Sequence, residues 1–393
     1  MQEFRVELIK TKTKESVMEF KPFKIGKYLI EKPIIQGGMG VGISWDQLAG
    51  TVSKEGGLGV ISTVGTGYYK NGKYFDITKN KRPNPIECNS KEALFEIYSN
   101  ARLICGNKPL AANIMVALSE YDESVQSACE AGTDIIISGA GLPINLPDLT
   151  KDYPDVALVP IVSSARALKI ICMKWKKKGK IPDAVVVEGP KSGGHQGFHT
   201  IKECKLAENQ LEIIVPQVLE EAKKWGNIPV IAAGGIWDKS DIEFYINMGC
   251  SAVQMGTRFV ATSECDAPMF YKQAVVNSTE KDIYLSGSPV GFPCRKLKNG
   301  LTYKIDYDLS QNVKRNKERT APPINCISNC VSPCEHGKGA RKVGFCIADR
   351  LSDTILERKD TSLFFIGANG YKVNEIIPVK TLIHKLMYGE DSV

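Results

Sequence analysis

No stretch of the 393 residues approaches the ~18 consecutive apolar positions of a membrane-spanning helix, so no helical span is expected. The opening segment, MQEFRVELIKTKTKESVMEF, is charged throughout and lacks the apolar centre of a signal peptide. A disulfide scaffold is also missing, because twelve cysteines are too sparse for one. The expectation is therefore free thiols in a reducing cytoplasm. Charge of one sign is barely in excess: 51 basic against 44 acidic residues give a net +7. The densest basic runs, Lys176-Lys177-Lys178 and residues 314–319, carry no interleaved aromatics. They read as solvated faces rather than a nucleic-acid surface. With 43% hydrophobic and 24% charged residues, the chain has the balance of a globular protein.

What the chain does have is a rhythm. Short β-branched runs recur at Pro33–Gln36, Leu58–Ser62, Leu110–Met115, Asp134–Ser138, Ala157–Val162, Ala184–Glu188, Pro229–Ala233 and Ser251–Met255. They are nearly continuous in apolar residues, as parallel strands covered on both faces should be. Amphipathic segments lie between them, at Ser44–Lys54, Glu120–Ala131, Ser164–Lys178, Leu211–Trp225 and Lys239–Met248, with a further helix expected at Ser90–Leu103. Glycines 132, 226 and 249 stand at three expected helix ends. Eight such units predict a (β/α)₈ barrel, which typically takes about 250 residues. A doubly wound sheet is the alternative, since strand order is invisible in sequence. The expected organisation is an N-terminal segment at 1–30, a barrel at 31–281 and a cysteine-bearing C-terminal extension, 282–393, packed on the barrel.

Chemistry in such a barrel sits where strands end and βα loops begin. Glycines crowd that location: Gly37-Gly38-Met39-Gly40 after the first strand, and Gly193-Gly194 in the loop after Glu188 closes the sixth. Gly234-Gly235 follows the seventh strand and Gly256-Thr257 the eighth. Glycine lets backbone N–H groups approach an anion without a β-carbon in the way, and loops seven and eight are the recurrent phosphate site of this fold. A phosphate-bearing ligand is the expectation. His195, one of only four histidines, stands on a glycine-lined loop at the same end, where proton handling is the natural role. Asn113 interrupts an apolar run at the third strand and needs partners if buried. Met39 is placed to back a planar ring, although methionine also simply fills gaps.

The strings PIIQGGMG, ANIMVA, VVVEGPKSGGHQGF, PVIAAGGI, VQMGTRF and SPVGFPCRKLKN, in this order, resemble the nitronate monooxygenase (2-nitropropane dioxygenase-like) family. That family also includes flavin-dependent enoyl-acyl-carrier-protein reductases. The resemblance covers roughly residues 30–300 and implies an FMN-bearing barrel. It implies that Gly38 and Met39 line the isoalloxazine, and that Asn113 and Glu188 hydrogen-bond the flavin. Gly193, Gly194, Gly234, Gly235, Gln254, Met255, Gly256 and Thr257 would cradle the ribityl phosphate, and His195 matches the catalytic histidine. The implied reaction is oxidation of an alkyl nitronate with O2. The alternative is NAD(P)H-dependent reduction of an enoyl thioester, and a second is a flavin- or metal-binding sensor without turnover. Lys191-Ser192 and Cys294 depart from the family's usual residues, and the lysine puts a positive charge close to His195 in sequence.

Near the C-terminus Cys326, Cys330 and Cys334 are spaced by four, with Cys346 twelve residues on. Four thiolates could hold zinc or an iron–sulfur cluster, with His336 nearby, but no familiar ligand spacing is present. Reduced, partly buried thiols are the plainer expectation. A homodimer is the default assembly for such an enzyme.

Overall fold

The computed structural model describes residues 20–70, 73–74, 90–313, 316–322, 334 and 343–389. Its centre is a sheet of eight parallel strands: Ile34–Gln36, Gly59–Ser62, Leu110–Met115, Ile135–Gly139, Ala157–Val162, Val185–Glu188, Val230–Ala233 and Ala252–Met255. Each pairs with its neighbour in chain order, and the eighth pairs back onto the first through Val253–Ile34, Gln254–Ile35 and Met255–Gln36. A parallel bridge between Ile35 and Leu58 joins the first strand to the second, so the sheet closes. The expected (β/α)₈ barrel is met, and the doubly wound alternative is set aside.

The reason for the unbroken apolar runs is visible along the fourth strand. Ile135 and Ile137 point into the barrel with Val159, Val186 and Ile231, whereas Ile136 points outward under the helices with Leu158 and Val185. Both faces are buried, so neither can alternate with polar residues. An antiparallel hairpin, Phe23–Ile25 with Tyr28–Ile30, adds Phe23, Ile25 and Ile30 to the same interior cluster as the barrel strands.

Helices follow the strands where the amphipathic segments predicted them: Asp46–Lys54, Tyr121–Glu130, Ala165–Lys176, Leu211–Lys223 and Lys239–Met248, with Ser90–Cys105 before the third strand. Ser164 caps Ala165–Lys176 by accepting from the Ala167 N–H at 3.2 Å, and Asp238 caps Lys239–Met248 through the Asp241 N–H at 3.1 Å. Glycines 132, 226 and 249 all adopt positive φ at the ends of their helices.

Beyond the eighth strand the chain builds a small antiparallel sheet from Ile283–Gly287 and Pro293–Leu297, and the latter also pairs with Gly194–His195 of the sixth loop. Further on, Phe365 makes an isolated antiparallel bridge to Lys296. The last helix, Val379–Tyr388, packs against both Asp46–Lys54 and Lys239–Met248 and so stands in the outer ring between them. Among the described residues no helix is long and apolar enough to cross a membrane.

Candidate active site

A cleft of about 1200 Å³ opens at the C-terminal ends of the barrel strands. Gly38 and Met39, Asn113, Glu188, Gly193 to His195, Gly234 and Gly235, and Gln254 to Thr257 all line it. The structure thus brings together every cofactor and catalytic candidate named from the sequence.

The floor is made by close approach. A β-carbon on Gly38 would stand 2.2 Å from Cβ of Asn113, so only glycine fits under that amide. Asn113 donates from Nδ2 to the Ile137 carbonyl at 3.2 Å, and among the described residues its Oδ1 has no partner. Gln254 lies against Gly37, and among the described residues its buried Oε1 accepts no hydrogen bond. An unmatched buried amide oxygen is uncommon in a folded protein and points to a missing donor. Met39 sits beside Gly256, its Sδ 3.5 Å from where a β-carbon there would be.

At the other end Gly234 has φ +102°, and a β-carbon would come within 2.8 Å of the Gly189 carbonyl oxygen. Two elements that sequence reasoning missed close this end. The Gly367 N–H donates to Thr257 Oγ1 at 2.8 Å, and Asn369 Nδ2 donates to the Gly235 carbonyl. The string Gly367-Ala368-Asn369-Gly370 carried a turn signal, but nothing in sequence tied it to strands seven and eight.

His195 stands in the short strand paired opposite Cys294. Its Nε2 lies 2.7 Å from Ser288 Oγ, and its ring meets Phe365 edge-on, centroids 5.6 Å apart at 72°. Enclosure by these groups pushes the imidazole pKa down to about 4, so it is neutral near pH 7. The cause is burial alone. Lys191, close to His195 in sequence, is not among the causes, and its exposed side chain runs beside Gly235. Burial pushes the Glu188 carboxyl the other way, up to about 7, with a smaller opposing effect from Ser192. Arg295 pins the intervening loop, donating Nη2 to the Pro190 carbonyl at 2.7 Å and Nε to that of Ser192 at 3.2 Å. Ser288 and Arg295 lay inside a string read from the sequence, yet neither was assigned a task.

His199 stacks on Phe292 at the rim of the cleft, centroids 5.6 Å apart. Cys334 and Cys346 are both buried and share one small cluster with Ala348. Cys326, Cys330 and His336 lie outside the described residues, among which no three metal-ligating side chains converge.

A family model described as nitronate monooxygenase matches residues 21–389. A probable nitronate monooxygenase of Staphylococcus aureus (strain MRSA252) is 28% identical over 298 residues, covering 72% of this chain and 78% of that protein. One from Staphylococcus saprophyticus is 26% identical over 299 residues, covering 71% and 79%. Among solved structures, FabK from Thermotoga maritima superposes with a TM-score of 0.65 at 27% identity, covering 91% of this chain and 92% of that one. Nitroalkane oxidase from Streptomyces ansochromogenes gives 0.63 at 19% identity over 93% and 96%, a likeness of fold alone.

Proposed function

Because the chain belongs to the nitronate monooxygenase family, we propose that it is an FMN-dependent oxidoreductase that oxidises alkyl nitronates with O2. The observation that carries this reading is His195, neutral and tied to Ser288, on the wall of a glycine-floored cleft.

The residues fit a flavin. The Gly38 backbone under Asn113 offers a surface that any side chain would spoil. The unmatched Gln254 Oε1 and Asn113 Oδ1 are acceptors for a ring system with polar edges. Gly234, Gly235, Gly256 and Thr257 would present main chain to the phosphate, with Gly193 and Gly194 beside them on the cleft wall. Met39 would back the ring, and Glu188, whose carboxyl burial pushes up to about 7, would be placed to donate a hydrogen bond to it. When bound, FMN supplies the electron transfer between nitronate and dioxygen. The protein's task is to hold the anion against it. A histidine neutral down to about pH 4 donates a hydrogen bond to an anionic oxygen without surrendering its proton.

One observation favours a second reading, an NAD(P)H-dependent enoyl-thioester reductase. The likeness to FabK is accompanied by a cleft above the ~300–1,000 Å³ of ordinary small-ligand pockets, with Leu118, Val290, Phe292, Ile347 and Leu351 on its walls. Against it, an imidazole with its pKa lowered to about 4 is almost wholly unprotonated near neutral pH and so carries little imidazolium to protonate a reduced double bond. Oxygen uptake by FMN-loaded protein tests the proposal. An alkyl nitronate should drive uptake without a nicotinamide, whereas uptake or substrate loss only with NADPH would move the assignment to the reductase.

A further inference from the structure

Ser288 lies in a tight turn that follows the strand Ile283–Gly287, closed by the Gly291 N–H donating to the Ser288 carbonyl at 3.0 Å, with Gly291 at φ +86°. Ser288 is 3% exposed. The Val290 N–H donates to Ser288 Oγ at 3.5 Å, a serine-turn contact that occupies one lone pair. Among the described residues the remaining partner of Oγ is His195 Nε2, 2.7 Å away. A buried hydroxyl needs an acceptor for its proton, and Nε2 is the acceptor in reach.

We propose that Ser288 is a positioning residue that donates its O–H to His195 Nε2 and thereby fixes the neutral imidazole with its proton on Nδ1. Nδ1 has no partner among the described residues, and the ring lines the cleft. The cleft is therefore offered an N–H donor rather than a lone pair. Such a donor suits an anionic oxygen of the substrate and would not serve as a base toward a neutral nitroalkane. Phe365, edge-on to the ring, and the pairing of His195 with Cys294 hold the imidazole in the orientation the serine needs. The depressed basicity of the ring keeps the tautomer neutral through the physiological range. The ligand class named here rests on the nitronate reading, while the tautomer stands on the geometry.

The test uses FMN-loaded protein carrying ¹⁵N-histidine at neutral pH, with His195→Gln identifying the His195 signals. In the wild type, the non-protonated ring nitrogen should correlate with both ring carbon protons, which marks it as Nε2. A non-protonated nitrogen that correlates strongly only with the proton between the two nitrogens is Nδ1, and overturns the proposal. In Ser288→Ala the populations should move toward the Nε2–H tautomer, and kcat/KM for an alkyl nitronate should fall roughly tenfold, the worth of one hydrogen bond. An unchanged tautomer in that variant removes Ser288 from the role. If the variant does not fold, the wild-type spectrum decides alone. If no nitronate is oxidised while the Nδ1–H tautomer is found, the substrate reading fails and the serine–histidine relation stands.

Discussion

Gly38, in the loop after the first barrel strand, and Asn113, on the third strand, approach so closely that a β-carbon on the glycine would lie 2.2 Å from that of the asparagine. Gly38→Ala must therefore displace Asn113 and break its hydrogen bond to the Ile137 carbonyl. The expected outcome is loss of flavin retention, at least tenfold in affinity, with the barrel still folded. Flavin titration followed by tryptophan fluorescence, alongside far-UV circular dichroism, checks both halves.

His195→Ala should leave flavin binding intact, because the side chain is engaged by Ser288 and Phe365 rather than by the glycine cradle. Turnover of a nitronate should fall about 100- to 10,000-fold, the usual range for a positioned proton-handling group. Steady-state oxygen uptake is the check. Equal rates in the variant would take His195 out of the mechanism.

The pH dependence of stability follows from Glu188 and His195 with opposite signs. Glu188 has a native pKa of about 7 against an ordinary 4.5, so the native state binds the extra proton. Its contribution is present below pH 4.5 and is lost as pH rises through 7. His195 is lowered from 6.5 to about 4, so the unfolded state binds the extra proton, and stability falls as pH drops from 6.5 toward 4. Glu188→Gln removes only the first effect. Melting of the apoprotein should show the variant more stable than wild type at pH 8 and similar to it near pH 4.5. A constant difference across that range would contradict the shift.

Asp266, from the segment after the eighth strand, accepts from the Trp45, Gln47 and Leu48 N–H groups at 2.7, 3.2 and 3.3 Å, at the start of the helix Asp46–Lys54. It closes a helix end that has no side-chain cap of its own. Asp266→Ala should cost about 1–2 kcal/mol, as loss of such a cap does. Urea denaturation measures it through the midpoint at unchanged slope.

The barrel was legible because burial on both faces leaves a distinctive apolar run. Each of the eight strands falls within a residue of its string, and Leu110–Met115 and Ala157–Val162 coincide with theirs. The glycines and His195 were legible as a group because all follow strand ends. Contacts between distant segments were not. Ser288 stands 93 positions from His195, and Gly367 stands 110 from Thr257. No periodicity encodes such a pairing. Phe365 is equally remote in sequence, yet its backbone bridges to Lys296 and its ring packs on His195.

The most direct test of the account is flavin absorbance under anaerobic conditions, with purified FMN-loaded protein mixed separately with an alkyl nitronate and with NADPH. The nitronate should bleach the oxidised flavin band and NADPH should leave it unchanged. Bleaching by NADPH alone, or protein that binds no flavin when FMN is supplied, would contradict it.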